Sequence, residues 1–242
     1  MAVASKAWTK DRATEFLSRE GWLKDQPADF RNDVFRRGKI LRLSAGAAVF
    51  HQGDEPPSGI YAVLEGNLFG FYYLGEDEKL LLWTIAPGAW FGEAVLFDRA
   101  PRPFEVSAAT EASLFFLPTA GFNDLISADP RNYLPFAKLL TENLRSNFRG
   151  LVSARLSARE RAARAFLRLA RAHGRPADTA VTLDVHLSQS DIASLVGVSR
   201  QYMNELLADW QKEGLIEVTG GIIRIPVLAR LEALANRRPA GL

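Results

Sequence analysis

Residues 131–156, RNYLPFAKLLTENLRSNFRGLVSARL, divide a chain that carries strand signals before them from one that is helical and basic after them. Asp129-Pro130 closes off what precedes, because proline pushes its predecessor out of the helical region yet suits a helix's first turn. The stretch predicts one long helix. On a heptad, Tyr133, Ala137, Leu140, Leu144, Asn147, Leu151 and Ala154 alternate at spacings of four and three, the seam of a two-stranded coiled coil, which predicts a homodimer. A lone helix packed on its own domain is the alternative, since Gly150 costs about 1 kcal/mol relative to alanine in a helix interior.

At 242 residues the chain suits two modest domains, each with its own core. No apolar run approaches the roughly 20 residues a bilayer helix needs, and residues 1–11 lack an apolar signal core, so the expectation is a soluble, cytoplasmic protein with no membrane role. The absence of cysteine excludes disulfides, thiolate zinc sites and cysteine-ligated iron–sulfur clusters. The net charge of +2 hides an asymmetry: residues 1–130 hold 13 Lys+Arg against 18 Asp+Glu (−5), and residues 131–242 hold 17 against 10 (+7). The second half is suited to a polyanion. Eight of its arginines fall between Arg145 and Arg171 on expected helices; without a DNA-reading motif they would be a solvated face.

Residues 8–37 form an amphipathic helical stretch with Phe16, Leu17, Trp22, Leu23, Phe30, Val34 and Phe35 on its apolar side, a scaffold element. From Lys39 the period changes. Strands are expected at 40–43, 48–51, 60–64, 68–73, 80–85, 89–91, 104–108 and 113–117, separated by turn signals such as Gly53-Asp54, Gly66, Gly75 and Pro87-Gly88, and followed by a short helix at 119–127. Short strands at such regular spacing predict a jelly roll or small barrel.

Within it stands FGEAVLFDRAPRPFEV, residues 91–106. With Gly53-Asp54 and Gly66 upstream, this stretch resembles the phosphate-binding cassette of cyclic-nucleotide-binding domains, and the resemblance covers residues 41–117. It implies that Gly92 lets backbone approach a ligand, that Glu93 takes a ribose hydroxyl beside Ala94, and that Arg102 neutralises a cyclic phosphate, a role suited to a guanidinium. The sequence departs from the family pattern at Pro103, where relatives offer the phosphate an amide and often a hydroxyl. Proline has neither, and a hydrogen bond to a charged group is worth about 1.5–3 kcal/mol. A cyclic nucleotide is therefore implied by the resemblance and opposed by Pro103; the alternative is a fold that keeps Gly92 and Arg102 as turn and salt-bridge residues.

Metal-dependent oxygenase chemistry on a β-roll needs several converging His and carboxylate ligands, and residues 40–117 contain only His51. His51, His173 and His186 are expected to be structural, and none has a Ser, Cys or Asp partner nearby in sequence, so the chain is expected to be no enzyme and to hold no metal.

The second informative stretch is 187–214. A helix at 159–171, a loop at 175–179 and a strand at 181–185 precede it. Ser188 with Asp191 three residues on is a capping signature, Ile192, Leu195 and Val196 face inward, and Gly197-Val198-Ser199 makes the turn. A second helix starts behind Ser199 as N-cap, with Met203, Leu206, Leu207 and Trp210 on its buried side. Its opposite face carries Arg200, Gln201, Asn204 and Glu205, side chains suited to base edges. Residues 215–225, split by Gly220-Gly221, predict a two-stranded wing, and 227–237 a last helix. Helix, turn, helix and hairpin predict a winged reader of double-stranded DNA, with Ser188, Gln189 and Ser199 also at the contact.

A β-roll, a long dimer helix and a winged helix-turn-helix in this order resemble the Crp/Fnr family of bacterial transcription regulators over residues 41–225. The expected architecture is α+β: a jelly-roll sensing domain with N-terminal helices (1–130), a dimerisation helix (131–156) and a winged helix-turn-helix domain (157–242). The resemblance implies a homodimer on a palindromic promoter site with RNA polymerase as partner, controlled by a small effector. It places Arg200 on a guanine, with Gln201 and Glu205 as further readers. Gln201 stands where Glu is common and Glu205 where Arg is common, so the half-site should differ from the usual one. The resemblance also places Ser146 and Asn147 where relatives reach a nucleobase. Asn147, at the heptad seam, can equally fix register. Competing functions are a nucleotide-gated subunit acting on a partner protein and a constitutive DNA-binding dimer with a degenerate pocket.

Overall fold

The computed structural model describes residues 7–56, 58–75, 78–153, 156–183 and 187–235, excepting the side chains of 149–153. It divides into two compact units: residues up to Gly70 with Ile85–Ser146, and Phe71–Thr84 with Asn147 onward.

In the first unit the amphipathic N-terminal stretch is broken rather than continuous: α1 (Lys10–Leu17), a 3-10 turn (Trp22–Asp25) and α2 (Ala28–Arg37). Gly21, at φ +69°, stops the first helix from running into the turn, and Pro27 precedes α2. Eight strands follow along the chain, the second half of β4 and nearly all of β5 belonging to the second unit: β1 (Lys39–Leu43), β2 (Ala48–Phe50), β3 (Gly59–Glu65), β4 (Leu68–Tyr73), β5 (Lys79–Ile85), β6 (Trp90–Phe91), β7 (Glu105–Ala108) and β8 (Ala112–Pro118). Each expected strand is present within a residue or two. They form sheets in the orders β1-β8-β3-β6 and β2-β7-β4-β5, the non-sequential neighbours of a jelly roll. Between β6 and β7 lies the short α3 (Val95–Asp98), and α4 (Thr119–Ala128) follows β8.

The long helix begins later than 131. Asp129 caps a 3-10 turn, Pro130–Asn132, and regular α5 runs Tyr133–Ser153. Pro135 lies in its first turn, where a missing N–H costs nothing. Phe136 and Leu139 are buried in the first unit. Phe136 packs on Trp22 (5.2 Å), Phe30 (5.5 Å) and Phe122 (4.9 Å), and the Trp22 indole donates to the Pro135 carbonyl at 2.9 Å. The N-terminal turn thus anchors the start of α5. Seam residue Ala154 lies outside the described residues, as does the side chain of Leu151.

In the second unit, α6 (Ala158–His173) opens with a capping box between Ser157 and Glu160 and buries Ala162, Ala163, Phe166, Leu167 and Ala170. The segment expected as a loop at 175–179 instead begins as a strand, β9 (Gly174–Ala177), which pairs with β10 (Ala180–Leu183). α7 (Gln189–Val196), α8 (Arg200–Lys212), β11 (Glu217–Thr219), β12 (Ile222–Ile225) and α9 (Leu228–Ala235) complete it. The expected two-stranded wing is present as the β11–β12 hairpin, and β12 also pairs with β10, extending it to the order β11-β12-β10-β9. Hairpin signals identify neighbours in sequence, whereas β10–β12 pairing depends on how α7 and α8 return the chain. His186, the end of the strand expected at 181–185 and residues 236–237 of the last helix lie outside the described residues.

Candidate functional site

The cassette is built around Arg102. Arg102 is only 4% exposed, and its guanidinium donates to the Gly92 carbonyl (2.9 Å), the Gly59 carbonyl (2.8 Å) and the Ser58 hydroxyl and lies 4.2 Å over the Phe50 ring. Its Nε has no hydrogen-bond partner among the described residues. Its backbone is held too: the Arg102 amide donates to Asp54 O (2.9 Å) and Arg102 O accepts from Gly53 N (2.7 Å), which accounts for the Gly53-Asp54 signal. Burial lowers the Arg102 pKa, opposed by Tyr61, Glu93, Asp54 and Asp98. Gly92 is required twice over: its φ is +87°, and a Cβ there would meet the Arg102 guanidinium at 2.9 Å.

Glu93 is 7% exposed, and burial raises its pKa, opposed by a hydrogen bond from the Asn143 side chain and by Arg102. Ala94, half-buried, precedes α3. Ser146 and Asn147 are exposed on α5; one turn before Asn147, Asn143 donates from Nδ2 to the Trp90 carbonyl beside the cassette at 3.3 Å. Helical spacing places 143 on the face of Phe136 and Leu139, a signal that the heptad reading passes over because Asn143 falls outside the seam. The folded protein holds the Glu93 proton more tightly than the unfolded chain does, so stability falls as pH rises from the ordinary glutamate range through the raised value. Glu93→Gln, with no proton to lose, is expected to melt above the parent near pH ~8 and to converge with it toward pH ~4 in thermal unfolding.

His51 is engaged structurally, its Nδ1 lying 2.8 Å from Glu105 Oε2, and His173 Nε2 meets Thr84 Oγ1 at 2.8 Å. No group of three or more His, Asp or Glu among the described residues is placed to hold a metal ion. No helix among them is long and apolar enough to cross a membrane.

In the second unit, α7 opens at Ser188, whose hydroxyl accepts from Asp191 N while the Asp191 carboxylate accepts from Ser188 N. It ends at Gly197, φ +70° and ψ 50°, the left-handed C-cap that turns the chain into α8. Ser199 caps α8 by accepting from Tyr202 N at 3.2 Å. Arg200, Gln201 and Glu205 are exposed, as are Ser188, Gln189 and Ser199. Gln201 Nε2 donates to Glu205 Oε1 at 3.2 Å. Asn204 differs from its expected place on the outer face: it is half-buried, with Oδ1 enclosed and unpartnered among the described residues. The angle from Met203 and Leu207 explains this, because position 204 lies at the edge of the buried arc. Tyr202, exposed in the same first turn, was not anticipated.

The basic cluster is partly spent inside this unit. Arg161 donates to Leu156 O (2.8 Å), Val196 O (2.8 Å) and Gly197 O (3.0 Å), closing the C-terminus of α7, where the helix dipole favours a cation. Arg164 donates to Ala235 O at 3.1 Å, Arg159 pairs with Glu213, and Arg171 lies 3.5 Å from Glu232. Also in this unit, Ser194 Oγ of α7 is held by Leu81 of β5, accepting from its amide (2.9 Å) and donating to its carbonyl (3.4 Å).

A jelly roll carrying a glycine–arginine cassette, joined through a long helix to a winged helix-turn-helix, defines an effector-controlled, DNA-binding transcription regulator. Residues 40–129 match the family model of the cyclic nucleotide-binding domain and residues 160–234 that of the Crp-like helix-turn-helix domain. The CRP-like cAMP-activated global transcriptional regulator of Mycobacterium tuberculosis is 28% identical over 225 residues, 92% of this chain and 99% of that protein. The cyclic AMP receptor protein of Thermus thermophilus is 28% identical over 193 residues, 78% of this chain and 85% of the other. The crystal structure of a CRP/FNR-family transcriptional regulator, also from Thermus thermophilus, is similar at a TM-score of 0.70 and 27% identity, covering 83% of this chain and 100% of that one. This chain belongs to the Crp/Fnr family of transcription regulators.

Proposed function

We propose that the chain works as a homodimer joined through α5, reading a palindromic promoter site with Arg200, Gln201 and Glu205 and responding to a small effector held at Gly92, Glu93, Ala94 and Arg102. Sensing belongs to residues 1–130, dimerisation to 131–156 and DNA reading to 157–242, with RNA polymerase as the partner at the promoter. The observation that carries this is the exposure of Arg200, Gln201 and Glu205 on the outer face of a capped α8, whose inner face is buried through Met203, Leu206, Leu207 and Trp210. Selection of bound sequences from a random DNA pool tests it: enrichment of a two-fold symmetric site is expected, and recovery of no common sequence overturns the proposal.

The cassette fits a cyclic nucleotide poorly. Pro103 offers no N–H, the Arg102 amide is committed to Asp54 O, and the guanidinium already donates to two backbone carbonyls. A cyclic phosphate would have to draw Arg102 off those acceptors with no amide from Pro103 to help. Cyclic AMP is therefore expected to bind weakly or not at all in titration calorimetry, and Pro103→Ser, which restores an amide and a hydroxyl, is expected to improve any affinity about tenfold. Micromolar binding by the parent that disappears in Arg102→Ala would show that Pro103 is no obstacle.

A further inference from the structure

Three backbone carbonyls of the second unit share one guanidinium. Arg161 donates through Nη1 to Leu156 O (2.8 Å), just ahead of the Ser157 cap, through Nε to Val196 O (2.8 Å) and through Nη2 to Gly197 O (3.0 Å). Arg161 is the fourth residue of α6, close to the positive end of that helix's own dipole, where a cation is disfavoured. Its partners outside the helix must outweigh that. At the end of α7 the Ala193 and Ser194 carbonyls accept from the Val198 and Gly197 amides, each at 3.0 Å, and the Val196 and Gly197 carbonyls accept from Arg161. Gly197 lies three residues before Arg200, where α8 starts.

We propose that Arg161 is a positioning residue for sequence reading: its planar fork fixes the direction in which the chain leaves α7, and so the bearing of α8. The inference rests on α8 being the reading helix. Apolar burial holds α7 and α8 together but is non-directional, so it permits tilt, whereas three hydrogen bonds from one rigid plane do not. At about 1.5 Å per residue Glu205 lies about 9 Å along the axis from Ser199, and a tilt of about 10° moves it about 1.5 Å, beyond the tolerance of a base contact. With its fork on carbonyls, Arg161 neutralises no phosphate, so it serves specificity rather than the electrostatic affinity for any DNA.

The test compares the full-length parent with Arg161→Met, which keeps the apolar stem, and Arg161→Lys, which keeps the charge but offers one point donor. On the sequence the parent selects, Arg161→Met is expected to bind about tenfold more weakly or worse, the factor for one lost base contact. Affinity for random-sequence DNA should stay within about twofold, and the slope of log affinity against log salt should not change. Arg161→Lys is expected to follow Arg161→Met. A slope reduced by about 0.9 per phosphate makes Arg161 a backbone contact, an equal loss on both DNAs makes it a fold stabiliser, and full rescue by lysine makes charge alone sufficient; each overturns the proposal. A second measurement needs no DNA. The chain has no cysteine, so Ala172→Cys on α6 and Ala208→Cys on α8, both exposed positions, give one pair of spin labels when labelled chains are diluted in unlabelled ones. In both Arg161 variants their distance distribution is expected to shift or widen by about 2 Å, the displacement that the same tilt gives at Ala208, and a parent-like distribution overturns the proposal. If Arg161→Met does not fold, Arg161→Lys decides by the same readings. A parent that selects no sequence refutes the promoter-reading function, and the label distances still judge the clamp.

Discussion

In sedimentation velocity the Leu144→Arg variant is expected to run as a monomer at concentrations where the parent runs as a dimer. Phe136, Leu139 and Asn143 turn α5 toward its own unit, and at about 100° per residue the far side belongs to Leu134, Ala137, Thr141, Leu144 and Phe148. Three of these are large apolar side chains left in the open: Leu134 is 61% exposed, Leu144 49% and Phe148 55%. Burying each against a second copy is worth about 1.5–3 kcal/mol, twice over in a symmetric pair. Arginine at 144 forfeits that gain and sets two cations against each other in a desolvated seam at a cost of several kcal/mol, enough for a loss of about a thousandfold or more in association. A variant that stays dimeric places the interface elsewhere. The exposed strip is broader than the heptad, because Leu134 and Phe148 join it while Leu140 is half-buried within its own unit.

Arg200→Ala is expected to weaken binding to the selected DNA by about 1–3 kcal/mol and to relax preference at one guanine in each half-site. Glu205→Arg is expected to change which sequence is selected. The structure sharpens the second expectation, since Gln201 commits one amide hydrogen to Glu205 Oε1 and leaves a face dominated by acceptors, Gln201 Oε1 and the second carboxylate oxygen. Such a face suits the amine of cytosine or adenine and repels phosphate. Arginine at 205 removes that acceptor and can turn to a guanine. Both variants should be compared at one salt concentration, because phosphate contacts alone shift affinity by orders of magnitude with salt. If both select the parental sequence with unchanged affinity, α8 is not what reads the DNA.

Within α6 to α9, charge counting and geometry lead to different conclusions. The arginine-rich run at 145–171 suggested a polyanion-binding surface, yet Arg159, Arg161, Arg164 and Arg171 are tied to Glu213, the α7 C-terminus, Ala235 O and Glu232. A carbonyl at a helix end attracts a guanidinium much as a phosphate does, and composition does not distinguish the two. Arg145 remains exposed.

Strand positions, the capping box at Ser188, the left-handed turn at Gly197 and the buried arc of α8 were all legible in the sequence, because each follows from a period or a local hydrogen bond spanning a few residues. The family and the order of its parts were legible through the resemblance carried by two motifs, the cassette at 91–106 and the helix-turn-helix at 187–214. Tertiary structure alone decided that β9 and β10 extend the wing, that Asn204 turns partly inward, and that Asn143, which is no heptad residue, meets the Trp90 carbonyl beside the cassette. These depend on which of several compatible partners a strand or side chain finds in the folded chain, and periodicity reports the face a residue is on, not what that face is packed against.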